Sequence, residues 1–419
     1  MIILGIVLVL LAILGAPLFT IITASAMLGY LRTDTDLMNV PLEILGIGSM
    51  PFLSAIPLFT FAGYVLSKSG APQRLVRLTG ALLGWMPGGL AIVALGACAF
   101  FTAFTGVTGA TIIALGAILY PALQHDGYED NFNLGLVTSS GSLGLLFAPS
   151  LPIILYGVIS EVSIDNLFRA GILPGLIMLF MLSGWSLWVN RSNRKPLGSF
   201  SVREVGAAVR ESIWEIPLPI IVLGGIYSGF FAVSEAAAIT AAYVLIIDVV
   251  ILREIKPGEL PGIMRESMLL VGGILVIVGA SLASTNYMID AEIPQKLLAF
   301  VAELVSSKTT FLILLLVFLL ILGAILDIFS AIVLVVPLII PIAAQYGVHE
   351  VHLGIIFLAA MQLGYLTPPV GLNLFIASYR FDKPIMTVYS ATFPFLMILL
   401  LSVILIMYWP ELSLILVPD

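Results

Sequence analysis

Charge is scarce in this chain of 419 residues: Asp, Glu, Lys and Arg together make 10%, against 60% hydrophobic residues and a mean hydropathy of +1.16. That balance excludes a soluble domain, which needs polar surface to cover its core. Cysteine is nearly absent. Cys98 stands alone, so no internal disulfide or thiolate metal cluster can form, and its apolar neighbourhood reads as that of a small buried hydrophobe. The three histidines, His125, His349 and His352, read as loop residues on opposite sides of a membrane, which excludes a shared metal site or proton relay. No GxxxxGK[ST] run is present, so ATP does not drive the chain directly, and nothing in the charge pattern points to nucleic acid.

What the chain has is apolar length. Stretches long enough for a span, roughly 20 residues, recur from residue 1 to residue 408 with only short polar interruptions, and a single membrane domain covers 1–419. Residues 1–31 lack a basic flank and a cleavage pattern, so they read as a retained segment that crosses once, kinked near Pro17, or twice.

Lys and Arg fall in four clusters: Lys68, Arg74 and Arg77; Arg191, Arg194, Lys195, Arg203 and Arg210; Arg253, Lys256 and Arg265; Arg380 and Lys383. The positive-inside rule turns all four to the cytoplasm. Residues 213–229 and 232–252 then form two connecting crossings. Residues 77 and 125 come out on the same side although about forty mostly apolar residues separate them. A re-entrant hairpin over 88–121 resolves the conflict, with its unwound tip at Thr105, Gly106, Val107, Thr108 and Gly109; irregular backbone at that depth must line a cavity. A second hairpin over 309–343 has its tip at Leu326 to Ser330. Residues 384–408 then place the C-terminus outside.

A spacing of 220 residues pairs Pro121 with Pro341, Gly127 with Gly347, Gly144 with Gly364, Pro149 with Pro369 and Pro174 with Pro394, and puts the two tips in one register. Repeat one covers about 50–190, with a broken helix at 131–160; repeat two covers about 266–408, with a broken helix at 354–379. Five crossings separate the equivalent loops around Gly127 and Gly347. An odd number inverts the halves, which is the architecture of secondary transporters. The expected fold is an all-α polytopic membrane protein with an inverted-topology repeat, two re-entrant hairpins and two broken helices.

In such folds the interruptions meet at mid-depth, where helix N-termini face anions and freed carbonyls face cations. The interruptions here are the two tips, GLLFAPSLP from Gly144 and GYLTPPVGLN from Gly364. Sodium, a hard cation, wants oxygen ligands. Thr105, Thr108, Thr111, Ser330, Thr367 and Asn373 supply them together with freed carbonyls, and Asp327 adds a carboxylate. Hydroxyls in membrane helices more often bond to their own turn or glue neighbouring helices. Asp327 stands apart because a carboxylate in an apolar segment costs on the order of 3 kcal/mol unless it faces a cavity or partner. Glu235, beside Ser234 at a helix start, reads as a structural cap, and Asp248 as interfacial.

FTAFTGVTGATIIALGAILYPAL, LGLLFAPSLPIILYGV, GGIYSGFFAVSEAAA and LGYLTPPVGLNLF resemble, essentially end to end, the large membrane subunit of TRAP transporters of the DctM and SiaM kind. The TGVTG tip departs from the family's serine-rich version. The resemblance implies sodium-coupled uptake of a small carboxylate into a bacterium across the inner membrane by elevator-like movement of the hairpin-bearing part. It implies a periplasmic binding protein and a smaller four-helix membrane subunit as partners, the latter expected as a separate chain, and no cofactor beyond coupling sodium ions. Carried onto this sequence, Thr105, Gly106, Thr108 and Gly109, Asp327 and Ser330, Pro149, and Thr367, Pro368, Pro369 and Asn373 surround the sodium and substrate sites, with sodium nearest Thr105, Thr108, Asp327 and Thr367. The rivals are a stand-alone ion-coupled carrier, an integral-membrane enzyme, which isolated Asp327 does not support, and a channel.

Overall fold

The computed structural model describes residues 7–8, 10–11, 14, 16–33, 35–49, 53–85, 88–192, 200–305 and 307–418. The reading of 1–31 as one or two crossings falls partly outside them, at 1–6, 9, 12–13 and 15, as do Arg194 and Lys195 of the second basic cluster. Among the described residues all regular structure is helical. Six helices among the described residues are long and apolar enough to cross a membrane, or seven if Asp130–Leu146 and Leu151–Ser160, bent by 42° at their break, form one span.

The first helices described in full are α1 (Leu18–Arg32), α2 (Asn39–Gly46), α3 (Ala55–Lys68) and α4 (Ala71–Leu83). The first helix-turn-helix follows as α5 (Gly89–Thr105), α6 (Thr108–Ala114) and α7 (Gly116–His125), then the first broken helix as α8 (Asp130–Ser140) and α9 (Leu151–Ser160), and then α10 (Ile164–Val189). The connecting part comprises α11 (Val202–Glu211), α12 (Pro217–Tyr227) and α13 (Val233–Leu245), which runs on as a π-helical turn, Ile246–Ile251. Next come α14 (Leu260–Asp290) and α15 (Ile293–Leu304). The second helix-turn-helix is α16 (Lys308–Ile325) and α17 (Ile328–Gln345), the second broken helix α18 (Glu350–Gly364) and α19 (Leu372–Phe381), and the chain closes with α20 (Ile385–Tyr408) and α21 (Glu411–Leu414).

The 220-residue spacing seen in the glycines and prolines recurs in these elements. Moved back by 220, α16 falls on 88–105, against Gly89–Thr105 for α5, and α17 falls on 108–125, the span of α6 and α7 together. Likewise α19 falls on 152–161 against Leu151–Ser160, and α20 on 165–188 against Ile164–Val189. Gly127 and Gly347, equivalent in this register, both adopt positive φ, where a Cβ would be strained. The repeats exchange partners: α9 packs on α17 and α19 packs on α6, so each broken helix's second half rests against the opposite repeat's hairpin. Both arms of the second hairpin have 18 residues and are each long enough to cross, whereas the second arm of the first is interrupted at Leu115.

Two side chains sit differently from the sequence reading, and a third keeps its role with a different cap residue. His352 lies on α18, not in a loop, and is 2% exposed; its ring nitrogens meet Ser413 Oγ at 3.1 Å and Met407 O at 3.3 Å, tying down the C-terminal segment. Asp248 is 1% exposed inside the π-helical turn and faces Arg74 at 4.0 Å, because α4 brings that arginine over the helix end. Glu235 does cap α13, its carboxylate accepting from Ala232 N–H at 3.0 Å, so Ala232 rather than Ser234 holds the cap position.

Candidate functional site

The two tips stop their helices by different chemistry. In the first, Gly106 turns left-handed (φ 64°) and its N–H donates to Thr102 O at 2.7 Å, a glycine C-cap; extended Val107 then leads into α6. In the second, Leu326 is extended and Asp327 caps α17. Asp327 Oδ1 accepts from Phe329 N–H (3.0 Å) and Ser330 N–H (3.1 Å), and Oδ2 accepts from Ser330 Oγ (2.5 Å). The carboxylate that the sequence singled out therefore works first for its own helix, satisfying donors that would otherwise be orphaned. Val107 stands at its register position in the first repeat.

The breaks are built from glycine and proline. After α8, Gly141 leads through the 3₁₀ turn Leu143–Leu146 to a cis Ala148-Pro149 bond; after α18, the chain passes a cis Pro368-Pro369 bond and turns at Gly371 (φ 55°). The freed backbone groups find partners on the hairpins. Val370 and Gly371 N–H both donate to Ala324 O, at 3.2 and 3.3 Å, and Tyr365 Oη accepts from Ile328 N–H at 2.7 Å. In the first repeat Thr102 Oγ1 lies 2.8 Å from Cys98 O, 2.9 Å from Gly141 O and 2.7 Å from Thr111 Oγ1, joining α5, α6 and the break.

Glycine permits the closest of these approaches. A Cβ on Gly144 would lie 2.3 Å from Ala99 O and 2.4 Å from Ala103 N. A Cβ on Gly364 would lie 2.4 Å from Gly323 Cα. Gly144 and Gly364 are equivalent in the register, and so are Ala103 and Gly323; each break presses on the backbone of its hairpin's first arm just before the tip.

All four interruptions contribute to one cavity of about 190 Å³. Gly106, Val107, Thr108 and Gly109 come from the first tip, Asp327, Ile328 and Phe329 from the second, Leu145 from the first break, and Tyr365 and Leu372 from the second; Leu270 and Ile376 complete the wall. Asp327 is the one charged residue of this lining. Of the residues named from the sequence, Gly106, Thr108, Gly109 and Asp327 thus meet in space. Thr105 and Asn373 are buried beside them, and among the described residues Thr105 Oγ1 and Asn373 Oδ1 have no hydrogen-bond partner, although Asn373 Nδ2 donates to Thr138 O at 3.4 Å.

The others are placed differently. The Thr111 hydroxyl turns to Thr102, Ser330 bonds to Asp327, and Pro149 is buried outside the lining. Thr367 Oγ1 donates back to Leu363 O at 2.8 Å, and Pro368 and Pro369 are exposed outside the cavity. Sequence reasoning missed Thr102, one helical turn before Thr105 on the same face. It also missed Ser150, whose buried Oγ is unpartnered, and Tyr365; both lie inside the two break motifs.

Paired helix-turn-helices and paired broken helices closing on one mid-chain cavity define a multi-pass membrane transporter. Residues 3–412 match the family described as the DctM component of the tripartite ATP-independent periplasmic transporters, and the chain belongs to that family. It is 35% identical to the C4-dicarboxylate TRAP transporter large permease protein DctM of Pseudomonas aeruginosa, over 86% of this chain and 85% of that one. It is 31% identical to the ectoine/5-hydroxyectoine TRAP transporter large permease protein UehC of Ruegeria pomeroyi, over 97% and 96%. With the isethionate TRAP transporter permease protein DctMQ of Oleidesulfovibrio alaskensis it shares 33% identity over 87% of this chain but only 58% of that protein. Among solved structures, the YdaH transporter of Alcanivorax borkumensis superposes with a TM-score of 0.63 at 15% identity, covering 90% of this chain and 89% of that one, a likeness of fold alone.

Proposed function

We propose that this chain moves a small organic anion, a carboxylate foremost, inward across the bacterial cytoplasmic membrane in exchange for the free energy of a sodium gradient. It takes the anion from a periplasmic binding protein and works beside a small four-helix membrane subunit. The observation that carries the reading is the meeting of both tips and both breaks around a single cavity.

The two helix-turn-helices are read as re-entrant hairpins, with the C-terminus in the periplasm. Neither α9 nor α19 has a side-chain cap at its N-terminus, which leaves backbone N–H groups and the positive helix end as counter-charge for an anion. Buried oxygens without partners among the described residues, Thr105 Oγ1, Ser150 Oγ and Asn373 Oδ1, have the chemistry a hard cation needs. Sodium bound among them would draw tip and break together, and an elevator-like movement of the hairpin-bearing part would carry the closed site across. The relatives' named substrates, a C4-dicarboxylate, ectoine/5-hydroxyectoine and isethionate, are organic molecules that each bear an anionic group.

The test is uptake of labelled carboxylates into proteoliposomes holding the chain, with and without small subunit and binding protein, under an inward sodium gradient. Accumulation that needs sodium and both partners supports the reading. Transport by the chain alone would establish a stand-alone carrier instead, and uptake indifferent to sodium would remove the coupling ion.

A further inference from the structure

Helix α11 repeats one triplet at a spacing of seven, Val202-Arg203-Glu204 and Val209-Arg210-Glu211, so on a helix each residue type occupies its own face. The structure gives the faces different fates. Glu204 and Glu211 both pair with Arg77 of α4, the first at 3.1 Å. Ala208 is buried against α4, and Ser212, just past the helix, donates to Arg74 O at 3.2 Å. The valine face points away from the protein: Val202 is 75% and Val209 40% exposed, with Phe200 (53%) and Ile213 (54%) at either end. Trp85, also exposed, meets Phe200 edge-on with ring centroids 5.9 Å apart. Arg203 and Arg210 are exposed beside this stripe and form no ion pair among the described residues, because Arg77 has drawn the helix's acids to the far side.

We propose that α11 lies in the plane of the membrane surface as an anionic-phospholipid docking helix, with Phe200, Val202, Val209 and Ile213 in the acyl boundary and Arg203 and Arg210 on the headgroup phosphates. An apolar stripe flanked by unpaired cations is the pattern that interfacial helices use, and a tryptophan such as Trp85 settles at headgroup depth, here edge-on to Phe200. The charge separation within the helix argues for a negatively charged surface: Glu204 and Glu211 share Arg77 on the far side, the helix with that arginine carries three cations against two acids, and the cations beside the apolar stripe are Arg203 and Arg210. Since α4 packs on both α11 and α5, the docked helix would hold the outer end of the first hairpin's support at a fixed height. The inference uses the chain's membrane nature and not its coupling ion or substrate.

The experiment is hydrogen exchange of the full chain in nanodiscs of neutral phosphatidylcholine and in discs that also contain phosphatidylglycerol. Residues 200–213 are expected to exchange up to about 30-fold more slowly in the anionic discs, from two arginines near a charged surface, with the difference collapsing at high salt. Arg203→Gln with Arg210→Gln should abolish the difference while exchange in neutral discs stays as in the wild type. Should the double variant unfold, the salt dependence of the wild-type chain decides alone. Equal exchange in the two lipids, or a difference insensitive to salt, overturns the proposal, as does protection that arises only when a small membrane subunit is added, which would make a protein the occupant. None of these outcomes depends on transport, so failure here and failure of the transport reading are separable.

Discussion

Replacing Gly364 by alanine tests the packing of break on hairpin more directly than any change at a polar side chain. The added Cβ would stand 2.4 Å from Gly323 Cα, 2.5 Å from Gly323 C and 3.0 Å from Ala324 N, all backbone atoms of α16 that cannot rotate aside. Ordinary contact needs roughly 1 Å more, so helix must part from helix near the cavity. Overpacking of this kind costs about 1–3 kcal/mol, reduced by the ~0.5–1 kcal/mol that alanine gains over glycine in a helix. The net loss, up to about 2.5 kcal/mol, lowers the melting temperature of a chain this long by up to roughly 3 °C, read by a thermal melt of the purified chain in detergent. Gly144→Ala, whose Cβ meets Ala99 O at 2.3 Å, should behave alike. Gly323→Ala should be milder, since its Cβ stops 3.0 Å from Gly364 Cα and its register equivalent is already Ala103. Gly273→Ala, whose Cβ would meet nothing beyond its own helix within 4 Å among the described residues, is the control. If Gly364→Ala and Gly144→Ala melt with the control, the close approach of break and arm is not what holds the site together.

Asp327→Ala removes both a cap and a carboxylate and should impair uptake and weaken its sodium dependence; Asp327→Ser keeps a capping oxygen, so normal sodium dependence in the serine variant would confine Asp327 to capping. Thr102→Val leaves Gly141 O and Thr111 Oγ1 without their shared hydroxyl and should cost about 1–3 kcal/mol in a denaturation series. Arg74→Ala strands Glu215, 6% exposed, together with Asp248, and should cost about 3–5 kcal/mol, with an unchanged melt counting against the cluster. Burial alone would raise the Glu254 carboxyl, but hydrogen bonds from the Arg74 guanidinium and Gly70 N–H hold it below its ordinary value. A depressed value stabilises the fold above the ordinary carboxylate pKa, about 4.3, and the contribution is lost as pH falls through the folded value. Melting between neutral pH and about 3.5 should therefore fall further in the wild type than in Glu254→Gln.

The hairpin tips, the breaks and the 220-residue spacing were legible because glycine and proline interrupt apolar runs where the helix cannot continue, and interruption is written in single residues. The direction of a hydroxyl is not. Thr108 and Thr111 are three residues apart on α6, yet the Thr111 hydroxyl turns to Thr102 while Thr108 lines the cavity, a choice settled by where the first break lies. Asp327 drew attention as a costly carboxylate; that Ser330 and two backbone N–H groups absorb it follows only once Leu326 is seen to be extended. His352 reads as polar and therefore peripheral, but Ser413, sixty-one residues away, gives it a buried partner. Arg203 and Arg210 entered the sequence reading only as part of a basic cluster, and their place beside an apolar stripe waited on Arg77 of another helix pairing with the glutamates.

The exchange of partners between the repeats also sets an order on biosynthesis. Because α9 finishes its packing on α17 and α19 on α6, the first repeat leaves the ribosome long before the surface that completes it exists. Its broken helix must wait in the bilayer with one face unmatched, closed by lipid, until the second hairpin is inserted. Neither half is then a folding unit by itself: the smallest piece of this chain that can bury all its own interior is the pair.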